Sequence, residues 1–497
     1  MRKNGILMHI SSLPSDYGIG SMGKPAYRFA DFLSEAGQSL WQMLPTTPTS
    51  FGDSPYQSFS VFAGNPYFID LDILCEMGLL TEFELKKSKY TQDIEKVDYA
   101  WVYHNRKSIF DIAYSRFDKS NPEFTAFCAK NSAWLDNYAL FMALKDAHGG
   151  KAWNEWPQCY KNRDAQALAS FKEEHSDSIS LYLMQQYLFF SQWSDLKKYV
   201  NAKNIKIIGD MPIYTAYDSA DVWANTQLFK LDEELCPTHV AGCPPDSFSE
   251  DGQRWGNPIY DWGRMSEDGY KWFCRRMKAM TGMFDIIRID HFRGFAEYYQ
   301  IPYKNKTAKD GKWVTGPGIK LFDAIKQSCG ETEIIAEDLG FITPSVRKLL
   351  SDCGFPGIKV LQFAFDSSGD SEYLPHNYEK NCVVYTGTHD NDTIMGWIND
   401  AADSEVEYAK KYLRLNEVEG YSWGMIKAVM QSTADTCILQ MQDLLGLDNS
   451  ARMNTPSTLG GNWCWRIKDE CINFWLAGIM KKLTQTYCRL PKVEDQK

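Results

Sequence analysis

A chain of 497 residues, 44% hydrophobic and 24% charged, has the composition of a globular protein large enough for one barrel with insertions or for several small domains. Its formal net charge of -11 argues against nucleic acid or an anionic membrane surface as the main partner, because both reward basic faces, and no uncharged apolar run reaches the roughly 18 residues of a membrane span. The 13 cysteines are odd in number and show neither CxxC pairs nor zinc-type spacing, so they read as reduced thiols of a cytoplasmic protein.

The first element is "ILMHI", broken by His9 and too short for a signal segment; it reads as a strand at 5–10. A Gly-rich loop leads to Pro25, suited to the first turn of a helix whose Phe29, Phe32, Leu33 and Ala36 share helical spacing and whose stop is Gly37. "LWQML" then gives a strand at 40–44. Residues 71–199 break this rhythm with helical patterns, ending in "SLYLMQQYLFFSQWSDLKKYV", which is apolar on nearly every face and so reads as buried. They are expected to be a mostly helical insertion between strands two and three.

Strand three follows at 205–209. Residues 232–262, which hold "CPPDSFSEDGQRWGNPIYDW", are expected to be a long active-site loop from their Pro, Gly and Asp density. The cycle then resumes with strands at 284–289 and 333–337, a helix opened by Thr343 and Pro344 and stopped by Gly354, and strands at 358–364, 382–387 and 436–441. Eight strands, each a continuous apolar run, predict an α/β fold: a (β/α)8 TIM-type barrel of residues 1–70 and 200–497, with inserted helical and loop subdomains. A doubly wound open sheet is the alternative.

Four of these strands run into acids: "IIGD" at Asp210, "IIRID" at Asp290, "IIAED" at Glu337 and Asp338, and "VVYTGTHDND" at Asp390 and Asp392. In a parallel barrel all such ends share one face, where barrel enzymes keep their active sites. Each acid alone has a bland explanation as a helix cap or an arginine partner, and Arg288 points to the same side of its strand as Asp290. Four together outnumber the nearby bases. Two chemistries compete for them: metal-assisted hydrolysis with Asp210, Asp290, His291, His389 and Asp390 as ligands, and glycosyl transfer between a carboxylate nucleophile and a carboxylic acid. Arg288 would repel a metal and hold a nucleophile ionised, and Tyr and Trp are plentiful near the same loops, which favours a sugar.

The motifs "RIDHFRG", "IIAEDLG", "GTHDNDT", "GDMPIY", "SPYQSFSVFAGNPYFIDL" and "GQRWGNPIYDW" resemble those of the 4-alpha-glucanotransferases, the amylomaltases or disproportionating enzymes of the α-amylase clan. The likeness runs in order from "GILMHISSLPSDYGIG" to "GNWCWR" at 461–466, essentially the whole chain. It implies that Asp290 is the nucleophile, that Glu337 is the general acid and then base, and that Asp390 binds the 2- and 3-hydroxyls of a distorted sugar. Tyr56 would stack beneath that sugar, Asp210 and His389 would hydrogen-bond it, and Arg288 would lie beside them. Ser54, Asp246 and Asn454 would join the substrate shell, with Gln253 and Trp255 on the acceptor side.

The resemblance further implies maltooligosaccharides and linear α-1,4-glucans as substrates, with no metal and no other cofactor. The 246–260 loop would exclude water, so that a sugar hydroxyl captures the intermediate. By this logic Arg288 lowers the pKa of Asp290, while Glu337 keeps its proton in a drier place. One departure is Ser457, where the family usually has glycine; a turn needing positive φ would be strained there. A carbohydrate-binding protein that has lost its chemistry and a metal-dependent hydrolase remain the other readings.

Overall fold

The computed structural model describes residues 2–50, 52–245, 249–340, 342–366 and 369–491. In chain order its strands are β1 (Lys3–Leu7), β2 (Leu40–Gln42), β3 (Lys206–Pro212), β4 (His239–Cys243), β5 (Gln253–Pro258), β6 (Ile286–Asp290), β7 (Glu297–Pro302), β8 (Lys312–Thr315), β9 (Glu333–Ala336), β10 (Gly357–Val360), β11 (Cys382–Tyr385) and β12 (Thr436–Gln440). Eight of them form one parallel sheet in the order β10-β11-β12-β1-β2-β3-β6-β9. The seam between β9 and β10 is drawn together where the Ala336 N–H donates to the Pro356 carbonyl (2.9 Å) and the Ile358 N–H donates to the Asp338 carboxylate (2.7 Å). Spatial order follows chain order, and the last strand lies beside the first, which makes a barrel; a doubly wound sheet would reverse direction at a switch point.

Each barrel strand falls on one of the eight apolar runs. The run at 358–364 is only half strand, because Leu361–Phe365 tightens into a 3-10 turn. Side chains are buried on both faces, as parallel strands under helices require: Ile207 and Ile208 of β3, Ile286 and Ile287 of β6, and Val383 and Val384 of β11 all lie in the core. Gly209 shows how tight this is, since a Cβ there would lie 2.3 Å from the Phe284 ring. The helix Lys24–Glu35 starts at Pro25 and buries Ala26, Phe29, Ala30, Phe32 and Leu33. Gly37 follows with φ of 68°. The helix Pro344–Cys353 likewise ends on Gly354 in the left-handed region.

Between β2 and β3 the chain forms helices, of which Pro122–Ala147 and Ser176–Ala202 are the longest. The second of these runs directly toward β3, and its buried glutamines have defined work. Gln186 pairs with both backbone groups of Gly64 (2.8 and 2.9 Å), and Gln192 with both of Asp70 (2.7 and 3.2 Å). They satisfy main-chain groups that a loop cannot satisfy for itself. Most of the aromatic surplus is core: Trp41, Trp153 and Trp223 are fully buried.

The segment 232–262, expected as a loop, contains β4 and β5. These join β7 and β8 in an antiparallel sheet of order β5-β4-β7-β8. The Gly and Pro residues mark turns between short strands, and β4 finds its second partner, β7, only beyond β6. No helix among the described residues is long and apolar enough to cross a membrane.

Candidate active site

The acids of β3, β6, β9 and β11 reach one face because parallel strands deliver all their C-terminal ends there. Asp210 lies opposite Arg288 in the β3–β6 register, and Pro212 opposite Asp290. Ile289 lies opposite Ala336, so Asp290 and Glu337 take the next rung on adjacent strands, which run about 4.8 Å apart. The Glu337 N–H, donating to the Ile289 carbonyl (3.0 Å), fixes that rung.

Arg288 is the buried hub. Its Nη1 donates to both oxygens of Asp210 (2.8 and 2.6 Å) and, at 3.2 Å, to Asp290 Oδ1. The Tyr56 hydroxyl donates to Asp210 Oδ2 (3.0 Å), and the Tyr56 ring lies nearly parallel to His389, with centroids 5.1 Å apart. His389 Nε2 is 3.4 Å from Asp390 Oδ2, while Asn454 Nδ2 donates to Asp390 Oδ1 (2.6 Å). Arg452 braces the same loop through the Asp390 carbonyl (2.6 Å) and the Asp392 carboxylate.

Across the site, Glu337 accepts from the backbone N–H groups of His291 (2.5 Å) and Leu339 (3.0 Å). His291, with φ of 51°, turns the chain sharply off β6 and so aims that N–H. The Trp255 ring meets His291 edge-on at 4.8 Å and its Nε1 donates to Gln253 (3.0 Å), which puts both residues on the Glu337 side. Ser54 accepts from the Tyr56 N–H (3.2 Å), a short turn that supports the tyrosine. Asp246 lies outside the described residues.

Two neighbours lie within the motifs quoted above but were not singled out there. Trp463 of "GNWCWR", at φ of 63°, sets its ring 5.7 Å from Tyr56 and 5.8 Å from His389. Gln57 ties Tyr56's loop to β5 by donating to the Trp255 carbonyl (3.3 Å) and to Asn257 (3.0 Å). Ser457 has φ of 64°, the strained conformation that its replacement of glycine implied.

The electrostatics correct one expectation. Arg288 does not leave Asp290 with a lowered pKa. Burial, joined by the charges of Asp210, Glu337 and Asp390, pushes Asp290 up to about 7 despite Arg288, whose shorter bonds go to Asp210. Burial also raises Glu337, against the pull of Arg288 and the two backbone N–H groups. Both carboxyls are thus raised and interact, so their titration belongs to the pair rather than to either group alone. Asp390 behaves oppositely: burial disfavours its charge, but His389 and Asn454 outweigh that and hold it down to about 2. His389 is raised in turn, because Asp390 overcomes the effect of burial.

Asp210 and Asp290 thus direct their oxygens at Arg288. No group of three or more His, Cys, Asp and Glu side chains arranged to hold a metal ion occurs among the described residues. The site is a paired-acid centre flanked by the His389–Asp390 pair and stacked aromatics.

The family model described as 4-alpha-glucanotransferase, of glycoside hydrolase family 77, matches residues 8–472. A 4-alpha-glucanotransferase of Clostridium butyricum is 50% identical over 485 residues, covering 97% of this chain and all of that one. One from Thermus thermophilus is 46% identical over 478 residues, covering 94% and 95%. The structure of an amylomaltase from Streptococcus agalactiae in complex with acarbose superposes with a TM-score of 0.96 at 42% identity, covering 99% of this chain and 100% of that one. An amylomaltase from Corynebacterium glutamicum, 18% identical, shares the fold with a TM-score of 0.78, covering 98% of this chain and 74% of that one. From strand order through the paired acids to these full-length likenesses, the findings agree: the chain belongs to the 4-alpha-glucanotransferase family.

Proposed function

We propose that the chain performs its family's transfer of α-1,4-glucan segments by a retaining double displacement, with maltooligosaccharides and linear α-1,4-glucans as donors and acceptors. An Asp290 carboxylate oxygen attacks the anomeric carbon as the bond to the departing glucan breaks, and Glu337 gives its proton to the leaving oxygen. Glu337, now a base, takes the proton from the 4-hydroxyl of the acceptor, whose oxygen displaces Asp290. Asp390 and Asp210 bind hydroxyls of the transferred sugar, with Tyr56 and His389 at its face and edge, Arg288 bridging Asp210 and Asp290, and Asn454 and Ser54 supporting from behind. Gln253 and Trp255 hold the acceptor against the Glu337 side.

The observation that carries this reading is the shared rung of Asp290 and Glu337 on adjacent strands. Neighbouring strands run about 4.8 Å apart, which supports a pair of carboxyls close enough for a retaining mechanism rather than an inverting one. With maltotriose as sole substrate the protein should produce glucose and a ladder of longer oligosaccharides while total reducing ends barely rise. Reducing ends that climb in step with maltotriose loss would make it a hydrolase. Mass spectrometry after reaction with an activated fluoro-glycoside should find the label on Asp290, and a label elsewhere would overturn that assignment.

A further inference from the structure

Beside His389 lies a cavity of about 10 Å³ lined by Leu7, Met8, His9, Ser12, Leu44, His389, Gln440, Gln442, Met453 and Trp465. Its walls come from the ends of β1 and β12 and from the loop after β11. The size is that of a single water molecule, which needs two to four polar partners to be stable in a protein interior. Besides His389 and the indole of Trp465, four polar side chains line it. Two are engaged elsewhere: the Ser12 hydroxyl donates to Met453 Sδ (3.7 Å) and Gln442 Nε2 to the Ala451 carbonyl (3.2 Å). The other two, His9 through Nδ1 and Gln440 through Nε2, are buried and find no hydrogen-bond partner among the described residues.

Leaving both atoms unmet would cost about 1–3 kcal/mol apiece. One water satisfies both. It accepts from the Gln440 amide N–H, donates to an unprotonated His9 Nδ1, and keeps its remaining acceptor site for a third donor. The third donor is His389, whose Nε2 is turned to Asp390 and whose other ring nitrogen remains for the cavity. His9 suits the acceptor role, because burial and the neighbouring His389 charge push its pKa down to about 3 and keep it neutral.

We propose that one buried water, held by His9 and Gln440, accepts from the His389 ring, making His9 and Gln440 positioning residues for the histidine of the donor sugar site. The proposal rests on the assignment of His389 to that site. The charged and titratable groups around His389 are Asp390, Arg288, Asp210, Tyr56 and His9. Asp390 alone fixes one nitrogen of the ring. The water fixes the other, so the ring plane against Tyr56 is set from both edges. The pattern uses a residue just past β1 that takes no part in the chemistry and a β12 glutamine whose Nε2 finds no partner among the described residues.

The test is NMR titration of His389 in histidine-labelled protein, its signal identified by its loss in His389→Asn. His9→Leu and Gln440→Leu should each lower the proton affinity of His389 by about tenfold, and the double variant should lower it little further, because both remove the same water. His9→Asn, which loses the edge-on ring contact with Phe68 as fully as leucine does but keeps an acceptor, should recover part of the loss. An unchanged His389 titration in both leucine variants, effects that simply add, or no difference between His9→Asn and His9→Leu would each overturn the proposal. A shifted titration with an unmoved pH profile of transfer would uphold the water and remove His389 from the sugar site.

Discussion

Glu337 and Asp290 sit in similar surroundings, both half-buried, both near Arg288 and both raised, so their roles separate by chemistry rather than by resting charge. The acid is needed only when the leaving group needs a proton. Glu337→Ala should therefore slow maltotriose transfer by about 10²–10⁴-fold, yet still form the glycosyl enzyme from an α-maltosyl fluoride, whose fluoride departs unaided. Equal loss with both donors would assign Glu337 to something other than proton delivery. Asp210 offers a second test. Its charge raises Asp290 and its carboxylate takes the closest bonds of Arg288. Because the nucleophile acts ionised, activity falls as pH drops through a raised carboxyl pKa. Asp210→Asn removes one neighbouring charge and frees Arg288, so the acid limb of kcat/KM should move to lower pH even as the maximum falls. A limb that stays put or moves upward would show that Asp210 does not set the Asp290 charge.

The β4–β5 strand pair and the turn at Ser457 carry tests of their own. Trp255 hangs from β5 and rests edge-on against His291, so it can steer an acceptor without touching the acids. Trp255→Ala should raise the share of intermediate captured by water by a few-fold, as expected for an aromatic contact worth about 1 kcal/mol, and an unchanged hydrolysis-to-transfer ratio would make it a packing residue. Ser457 occupies a left-handed position that glycine adopts freely. Ser457→Gly should raise the unfolding temperature and leave maltotriose turnover unaltered, the relief amounting to about 1 kcal/mol. Legibility divides along similar lines. The barrel strands were readable because burial on both faces writes them as unbroken apolar runs such as "IIRID". β8, by contrast, is mostly exposed and reads "KWVT", and β4 pairs with a strand beyond β6, so neither left a local signature. The acids showed themselves as strand-end charges. Trp463 and Gln57 act through contacts with residues far away along the chain, which no spacing rule records.

At the scale of the molecule, the helix Ser176–Ala202 ties the inserted helices to the loop that follows Tyr56. Gln186→Leu would keep the side chain's bulk but strand the Gly64 N–H and carbonyl in the interior, at about 1–3 kcal/mol each. Lower resistance to urea together with a KM for maltotriose that rises more than kcat falls is the expected result. Loss of stability with unchanged KM would show that the clamp serves the fold alone.

The pairing of β1 with β12 reaches beyond the finished enzyme. Lys3 to Leu7 emerge from the ribosome first of the eight barrel strands and Thr436 to Gln440 last, yet the two strands are hydrogen-bonded neighbours. At about 5–20 residues per second, β1 waits roughly 20–90 seconds for its second neighbour. During that interval one border of the growing sheet is a row of unanswered backbone donors and acceptors, open to any passing strand. His9 meanwhile stands without the β12 glutamine that shares its cavity. The nascent chain therefore holds Tyr56, Asp290 and Glu337 for many seconds before it holds a closed barrel around them. Crowded synthesis is therefore a stage at which this architecture is exposed to misassembly.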